Sequence, residues 1–158
     1  MSSLCTENPT ILVAEDDDGT QLLLTRAFKK AESRSQLRFV KNGEEAMFYL
    51  QGHERYENRE AFPFPNLLLL DIKMPRKNGF EVLQWIRKER TAQEMIVVVF
   101  SSSDAQSDID RAFAWGANSY LVKTPLYREL MELVKGIDQY WLKHNRLPSL
   151  CSGLFGKC

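Results

Sequence analysis

The chain has 158 residues and a mass of 18.3 kDa, which suits one domain with a core that needs no staples. Hydrophobic residues at 44% and charged residues at 27% exclude a disordered chain. With 21 basic against 21 acidic residues there is no net field to draw it to nucleic acid or an anionic membrane. No apolar run is long enough to cross a bilayer, and residues 1–10 do not read as a signal peptide. Cys5, Cys151 and Cys158 lie near the chain ends. That placement suits reduced thiols in the cytoplasm better than a disulfide framework or a zinc site.

Residues 11–14 form the first expected strand, followed by a helix with Leu24, Ala27, Phe28 and Ala31 at helical spacing. Residues 37–40 are the second strand. Asn42 can cap a helix that turns Ala46, Met47 and Leu50 inward. A polar and aromatic loop, residues 51–66, carries Tyr56, Phe62 and Phe64 and is long for a connection. It reads as a packed excursion or a docking surface. Residues 67–70 are apolar on both faces, as a central parallel strand is.

Phe80, Leu83 and Ile86 mark a third helix, and residues 95–100 a fourth strand. Asp104 is expected to begin the fourth helix, with Ile109, Ala112 and Phe113 inward and Gly116 ending it. Residues 119–122 are the fifth strand. Leu126, Leu130, Leu133, Val134, Ile137 and Trp141 are the inner stripe of the last helix, which leaves Tyr127, Met131 and Tyr140 off the core face. Strand–helix alternation repeated five times predicts an α/β fold, a doubly wound five-stranded parallel sheet with helices on both faces. The domain is expected over residues 8–145, with 146–158 a Ser-, Gly- and Pro-bearing tail.

Ligands of such a sheet bind at the carboxyl ends of its strands. Glu15 and Asp16 follow the first strand, Asp71 ends the third, Ser101 and Ser102 follow the fourth, and Lys123 follows the fifth. Two carboxylates about 4 Å apart repel by roughly 4 kcal/mol at an effective dielectric of about 20. Three in one place call for a cation or raised pKa values. Oxygen ligands without His or Cys suit Mg²⁺. A lysine beside them fits a phosphoryl oxygen, and a carboxylate between the two can attack phosphorus. The plainer roles are capping for Glu15, Asp16 and Ser101, a turn for Asp71 and a solvated surface charge for Lys123. Asp17 and Asp18 belong to the start of the first helix, and His53 and His144 read as solvated.

Four segments carry a resemblance: ILVAED at 11–16, LLDIKMPRKNG at 69–79, VVFSS at 98–102 and YLVKTP at 120–125. In motif, order and spacing they resemble the receiver domain of two-component response regulators. The loop with Tyr56, Arg59, Glu60, Pro63 and Pro65, with GFEVL and WIR after it, is similar to stand-alone receivers that include phytochrome-associated response regulators.

The resemblance implies strand order 2-1-3-4-5 and a phosphoryl group accepted by Asp71 from a sensor histidine kinase, of phytochrome type on the closer similarity. It implies Mg²⁺ on Asp16, on Asp71 and on the backbone carbonyl of Lys73, with Glu15 acting mostly through water. It gives Ser101 and Lys123 the phosphoryl oxygens, and Ser101 with Tyr120 the switch. The only catalysis implied is of the domain's own phosphorylation and dephosphorylation. Output would pass by contact with an unknown downstream protein or by relay to a second histidine protein, or the domain would serve as a phosphate sink; a homodimer through the fourth helix, fifth strand and fifth helix is also expected. A phosphorylation-independent scaffold is the alternative.

An aspartyl-phosphate phosphatase is disfavoured, because Lys73 stands where such enzymes carry a second Asp. One departure from the receiver pattern is Thr124 between Lys123 and Pro125. A cis Lys123–Thr124 bond would cost about 2.5–4 kcal/mol. That bond is expected trans, or the cis bond is moved to Thr124–Pro125, with either arrangement able to shift Lys123.

Overall fold

A computed structural model describes residues 8–146. Its strands are β1 (Thr10–Ala14), β2 (Gln36–Val40), β3 (Leu67–Leu70), β4 (Ile96–Ser101) and β5 (Ser119–Val122). The helices between and after them are α1 (Asp18–Lys30), α2 (Gly43–Gln51), α3 (Gly79–Lys88), α4 (Gln106–Ala114) and α5 (Tyr127–Gly136). A wider, π-wound stretch, Ile137–His144, continues α5 directly. The sheet order is β2-β1-β3-β4-β5 and every pairing is parallel, as expected.

Alternation along the strands divides the core. Leu67 and Leu69 face a layer with Phe28 and Val134, while Leu68 and Leu70 face one with Tyr49 and Leu83. The four-leucine run of β3 is therefore the signature of a strand covered on both faces. Local signals open the helices. Asn42 accepts from Glu45 N–H at 2.8 Å, and Asn78 and Glu81 form a reciprocal capping box.

The loop after α2 is a packed excursion. Tyr49, Tyr56 and Phe62 cluster with centroids 4.9, 5.1 and 6.0 Å apart, Phe62 meeting both tyrosines edge to face, and Tyr56 is buried. Arg59 donates to the carbonyls of Tyr49 and Leu50 at 2.8 and 2.9 Å, which satisfies the last turn of α2.

Four expectations are corrected. α4 starts at Gln106, with Ala105 rather than Asp104 at its cap, because Ser103 and Asp108 hold the preceding loop extended. Phe113 faces out at 49% exposure: Ala112 takes the inward position, and adjacent helical residues lie about 100° apart. Leu126 is the exposed cap of α5 rather than part of its inner stripe. Met131 is buried in the α1/α5 layer, one position past Leu130 on a broad apolar face. Residues 147–158 and all three cysteines lie outside the described residues, so the tail expectation is untested there.

Candidate functional site at the carboxyl edge of the sheet

Backbone hydrogen bonds that overrun the strand ends gather the site. Glu15 N–H donates to Val40 O at 3.0 Å, Asp71 N–H to Ala14 O at 3.0 Å, and Lys123 N–H to Ser101 O at 2.8 Å. Each residue just past a strand is thus fixed against its neighbour's end, and the side chains converge.

Glu15, Asp71 and Ser101 are buried, and Asp16 is exposed beside them. Lys123 Nζ donates to Glu15 Oε2 at 2.7 Å and to Asp71 Oδ2 at 2.9 Å, from a side chain only 19% exposed. Asp71 Oδ1 accepts from Lys73 N–H at 3.3 Å. One oxygen each from Glu15, Asp16 and Asp71 lie within 4.8 Å of one another.

Burial pushes the Glu15 carboxyl up to about 7. Lys123 opposes that rise and the neighbouring Asp71 adds to it. Burial works against the charge on Lys123, yet Glu15 and Asp71 outweigh it and hold the ammonium above its usual range. Three carboxylates against one ammonium leave two negative charges when all are ionised. One divalent cation neutralises that excess, so the residues present fit a hard metal ion.

Asp17 and Asp18 are not in this set. Asp17 caps α1, accepting from Thr20 N–H at 2.7 Å and from its hydroxyl at 2.8 Å, and those bonds hold its carboxyl below the usual range. Asp18 pairs with Lys41 at 2.8 Å. Both bear out their assignment to the helix start.

Ser101 sits at the base of the β4–α4 loop, its Oγ accepting from Ser103 N–H at 3.3 Å. Tyr120 is half-buried, packs against the α2/α3/α4 layer and donates its hydroxyl to Ser103 O at 2.8 Å. Ser103 donates to Asp108 Oδ2 at 2.6 Å. A chain of contacts therefore runs from Ser101 through Ser103 to Tyr120. The pairing of Ser103 with Asp108 escaped the sequence reading because it depends on where α4 begins.

The Lys123–Thr124 and Thr124–Pro125 bonds are both trans. Thr124 hydrogen-bonds the Glu129 carboxylate and accepts from Leu126 N–H at 3.2 Å, which organises the start of α5. Lys123 reaches both carboxylates with Thr124 in place.

Two glycines permit the loop after Asp71 its course. A Cβ on Gly79 would lie 2.5 Å from Asp71 O, and one on Gly43 would lie 2.1 Å from Lys77 O. The Gly43 N–H donates to that same Lys77 carbonyl at 3.1 Å. The amino end of α2 thereby braces the loop that carries Lys73. No sequence motif connects the two glycines, because the contact joins segments far apart in the chain.

Residues 11–135 match the response regulator receiver domain family. The chain is 33% identical to response regulator Rcp1 of Synechocystis sp. over 139 residues, 88% of this chain and 92% of that protein. The Mn(2+)-bound form of Rcp1 superposes with a TM-score of 0.79 at 33% identity, over 89% of this chain and 99% of that one. RPA3017, a response regulator in red light signaling of R. palustris, gives 0.84 at 36% identity, over 89% and 98% of the two chains. The phosphorylated cyanobacterial phytochrome response regulator RcpA gives 0.82 at 33%, over 90% and 99%.

Proposed function

Because the chain belongs to the response regulator receiver domain family, we propose that Asp71 is its phosphoacceptor and that residues 8–145 form the working unit. The observation that carries this reading is the buried pair of carboxylates, Glu15 and Asp71, bridged by Lys123 Nζ at 2.7 and 2.9 Å. An Asp71 carboxylate oxygen attacks phosphorus of a phosphohistidine on the kinase. The new O–P bond forms as the P–N bond breaks, and the imidazole leaves with its electron pair.

Lys123 is held against Asp71 and meets the negative charge of the phosphoryl oxygens. The Ser101 hydroxyl supplies a donor to the same group. Asp16, Asp71 and the Lys73 carbonyl would hold Mg²⁺, with Glu15 acting mostly through water, and the ion would neutralise the carboxylates and the phosphoryl oxygens. The Mn(2+)-bound form of Rcp1 supports a hard divalent ion here. The kinase is a histidine kinase of phytochrome type, a reading supported by RPA3017 and RcpA. The chain's own catalysis is limited to its phosphorylation and dephosphorylation, and it acts in the cytoplasm. Among the described residues no helix is long and apolar enough to cross a membrane.

Phosphorylation draws the Ser101 hydroxyl toward the phosphoryl group, which alters the Ser103 contact and the seat of Tyr120. The surface these residues underlie is rich in exposed apolar groups: Phe113, Trp115, Val122 and Leu126. That face of α4, β5 and α5 is the homodimer interface and the docking face for a downstream protein. Light scattering that finds only monomer, phosphorylated or not, would remove the dimer from this reading.

The deciding experiment is intact-mass analysis after incubation with acetyl phosphate. One added phosphoryl group, dependent on Mg²⁺ and absent in Asp71→Ala, is expected. No addition, together with no beryllofluoride complex, would leave a phosphorylation-independent scaffold.

A further inference from the structure

β2 ends the sheet opposite β5, and among the described residues no strand pairs with its outer side. Gln36 donates to Pro9 O at 2.7 Å and Val40 accepts from Glu15 at 3.0 Å, so the even-numbered residues of β2 bond inward. In a parallel ladder the alternate residues, Leu37 and Phe39, then turn both N–H and C=O outward. The same side is closed at either end: Ser35 N–H donates to Ser33 Oγ at 3.1 Å and Lys41 N–H to Glu45 Oε2 at 3.2 Å. What remains open is a short stretch of four backbone groups.

A cavity lies on each side of this stretch, and Leu37 and Phe39 border both. The cavity toward α2, about 380 Å³, is walled by Tyr49, Tyr56, Phe62, Arg38 and Arg55. The cavity toward α1, about 350 Å³, is walled by Phe28, Lys29, Ser33 and Ser35 among others. Neither wall contains a carboxylate. Each holds a polar atom shut from solvent without a partner, Arg38 Nε in one and Ser35 Oγ in the other. Such groups are costly to bury until an acceptor arrives. Among the described residues Arg38 and Lys29 make no ion pair, whereas Arg55 is matched by Glu45 at 3.2 Å.

We propose that the edge of β2 receives an extended acidic segment of a partner protein, which adds to Leu37 and Phe39 as a sixth strand. Its alternate side chains enter the two cavities, because successive residues of a strand point to opposite faces. One carboxylate meets Arg38 and the next meets Lys29 and the Ser35 hydroxyl. A second copy of this chain is a poorer occupant: pairing β2 with β2 would bring Arg38 and Lys29 of both copies to one seam, where like charges repel. This surface lies away from Asp71, so the inference stands apart from the phosphoacceptor reading.

The test is NMR of the ¹⁵N-labelled full chain, titrated with a six-residue peptide that carries two adjacent Glu between pairs of Val, so that one carboxylate faces each cavity, and with its Lys-for-Glu counterpart. The acidic peptide should shift the Leu37 and Phe39 amides, slow their exchange with solvent, and bind about tenfold or more weakly to Arg38→Glu. Arg38→Gln is the second variant should the charge reversal fail to fold. Shifts centred elsewhere, equal binding of the lysine peptide, or affinity untouched by both variants would overturn the proposal. So would protection of these two amides that grows with protein concentration without peptide, which would give the edge to a second copy.

Discussion

Tyr49 shows how a single hydroxyl ties a helix to a distant loop. It donates to Pro63 O at 2.9 Å from a fully buried ring, and burial pushes its phenol up to about 12. A raised phenol pKa means that the folded state keeps its proton where the unfolded chain, titrating near 10, has lost it. The resulting stability is complete below pH 10 and is lost as pH rises toward 12, by about 2–3 kcal/mol. Tyr49→Phe should therefore be less stable than wild type by about 1 kcal/mol at pH 8, where only the hydrogen bond is missing. The gap should close or reverse near pH 11, and urea unfolding at the two pH values measures it. Helical periodicity pointed to Met47 instead, which stays partly exposed. The loop that covers Tyr49 folds back from residues 51–66, and no short-range pattern in α2 records it. The strand-end residues were legible for the opposite reason. Their place depends only on where an apolar run stops: the Glu15, Asp71 and Lys123 side chains meet, and Ser101 lies beside Lys123 along the backbone.

Among the elements, the amino end of α2 bears on the site at a distance. Gly43→Ala would drive a methyl group toward Lys77 O, now 2.1 Å from the ideal Cβ, and backbone on both sides leaves little room to yield. A loss of about 2–3 kcal/mol is expected, together with weaker Mg²⁺ binding as the loop carrying Lys73 shifts. Gly136→Ala is the matched control. Its Cβ would meet nothing within 4 Å, its backbone is helical, and about 0.5–1 kcal/mol of stabilisation is expected with Mg²⁺ affinity unchanged. Chemical denaturation and Mg²⁺ titration of the two variants separate a brace from ordinary helix propensity. Element order and strand identity were legible because the three central strands are apolar through nearly their whole length and each helix has its own period. α4 was less so. It buries only Ala112, so the core disciplines its pattern weakly, and its start is set by the Ser103–Asp108 and Tyr120–Ser103 contacts.

At the scale of the whole molecule, the carboxyl edge of the sheet is a charge imbalance that the fold must carry. Glu15 and Asp71 share one lysine, with Asp16 close by, and the buried Glu15 is pushed up to about 7 by its surroundings. The two ways of changing this balance should have opposite signs. Asp71→Ala leaves Glu15 and Lys123 as a matched pair, so it should raise thermal stability and remove most of its dependence on Mg²⁺. Lys123→Ala leaves two buried carboxylates facing each other. It should lower stability without the metal, and most of the loss should return on adding it, since a cation that binds only the folded state stabilises by mass action. At a Mg²⁺ concentration about tenfold above the dissociation constant, wild type should gain about 1.4 kcal/mol, or about 3–6 °C in Tm for a chain of this size. Calorimetry of the three proteins with EDTA and with Mg²⁺ reads all of this at once. If Asp71→Ala were as metal-dependent as wild type, the cation would not lie on this carboxylate set. If Lys123→Ala were as stable as wild type without metal, the lysine would not be what holds the two carboxylates together.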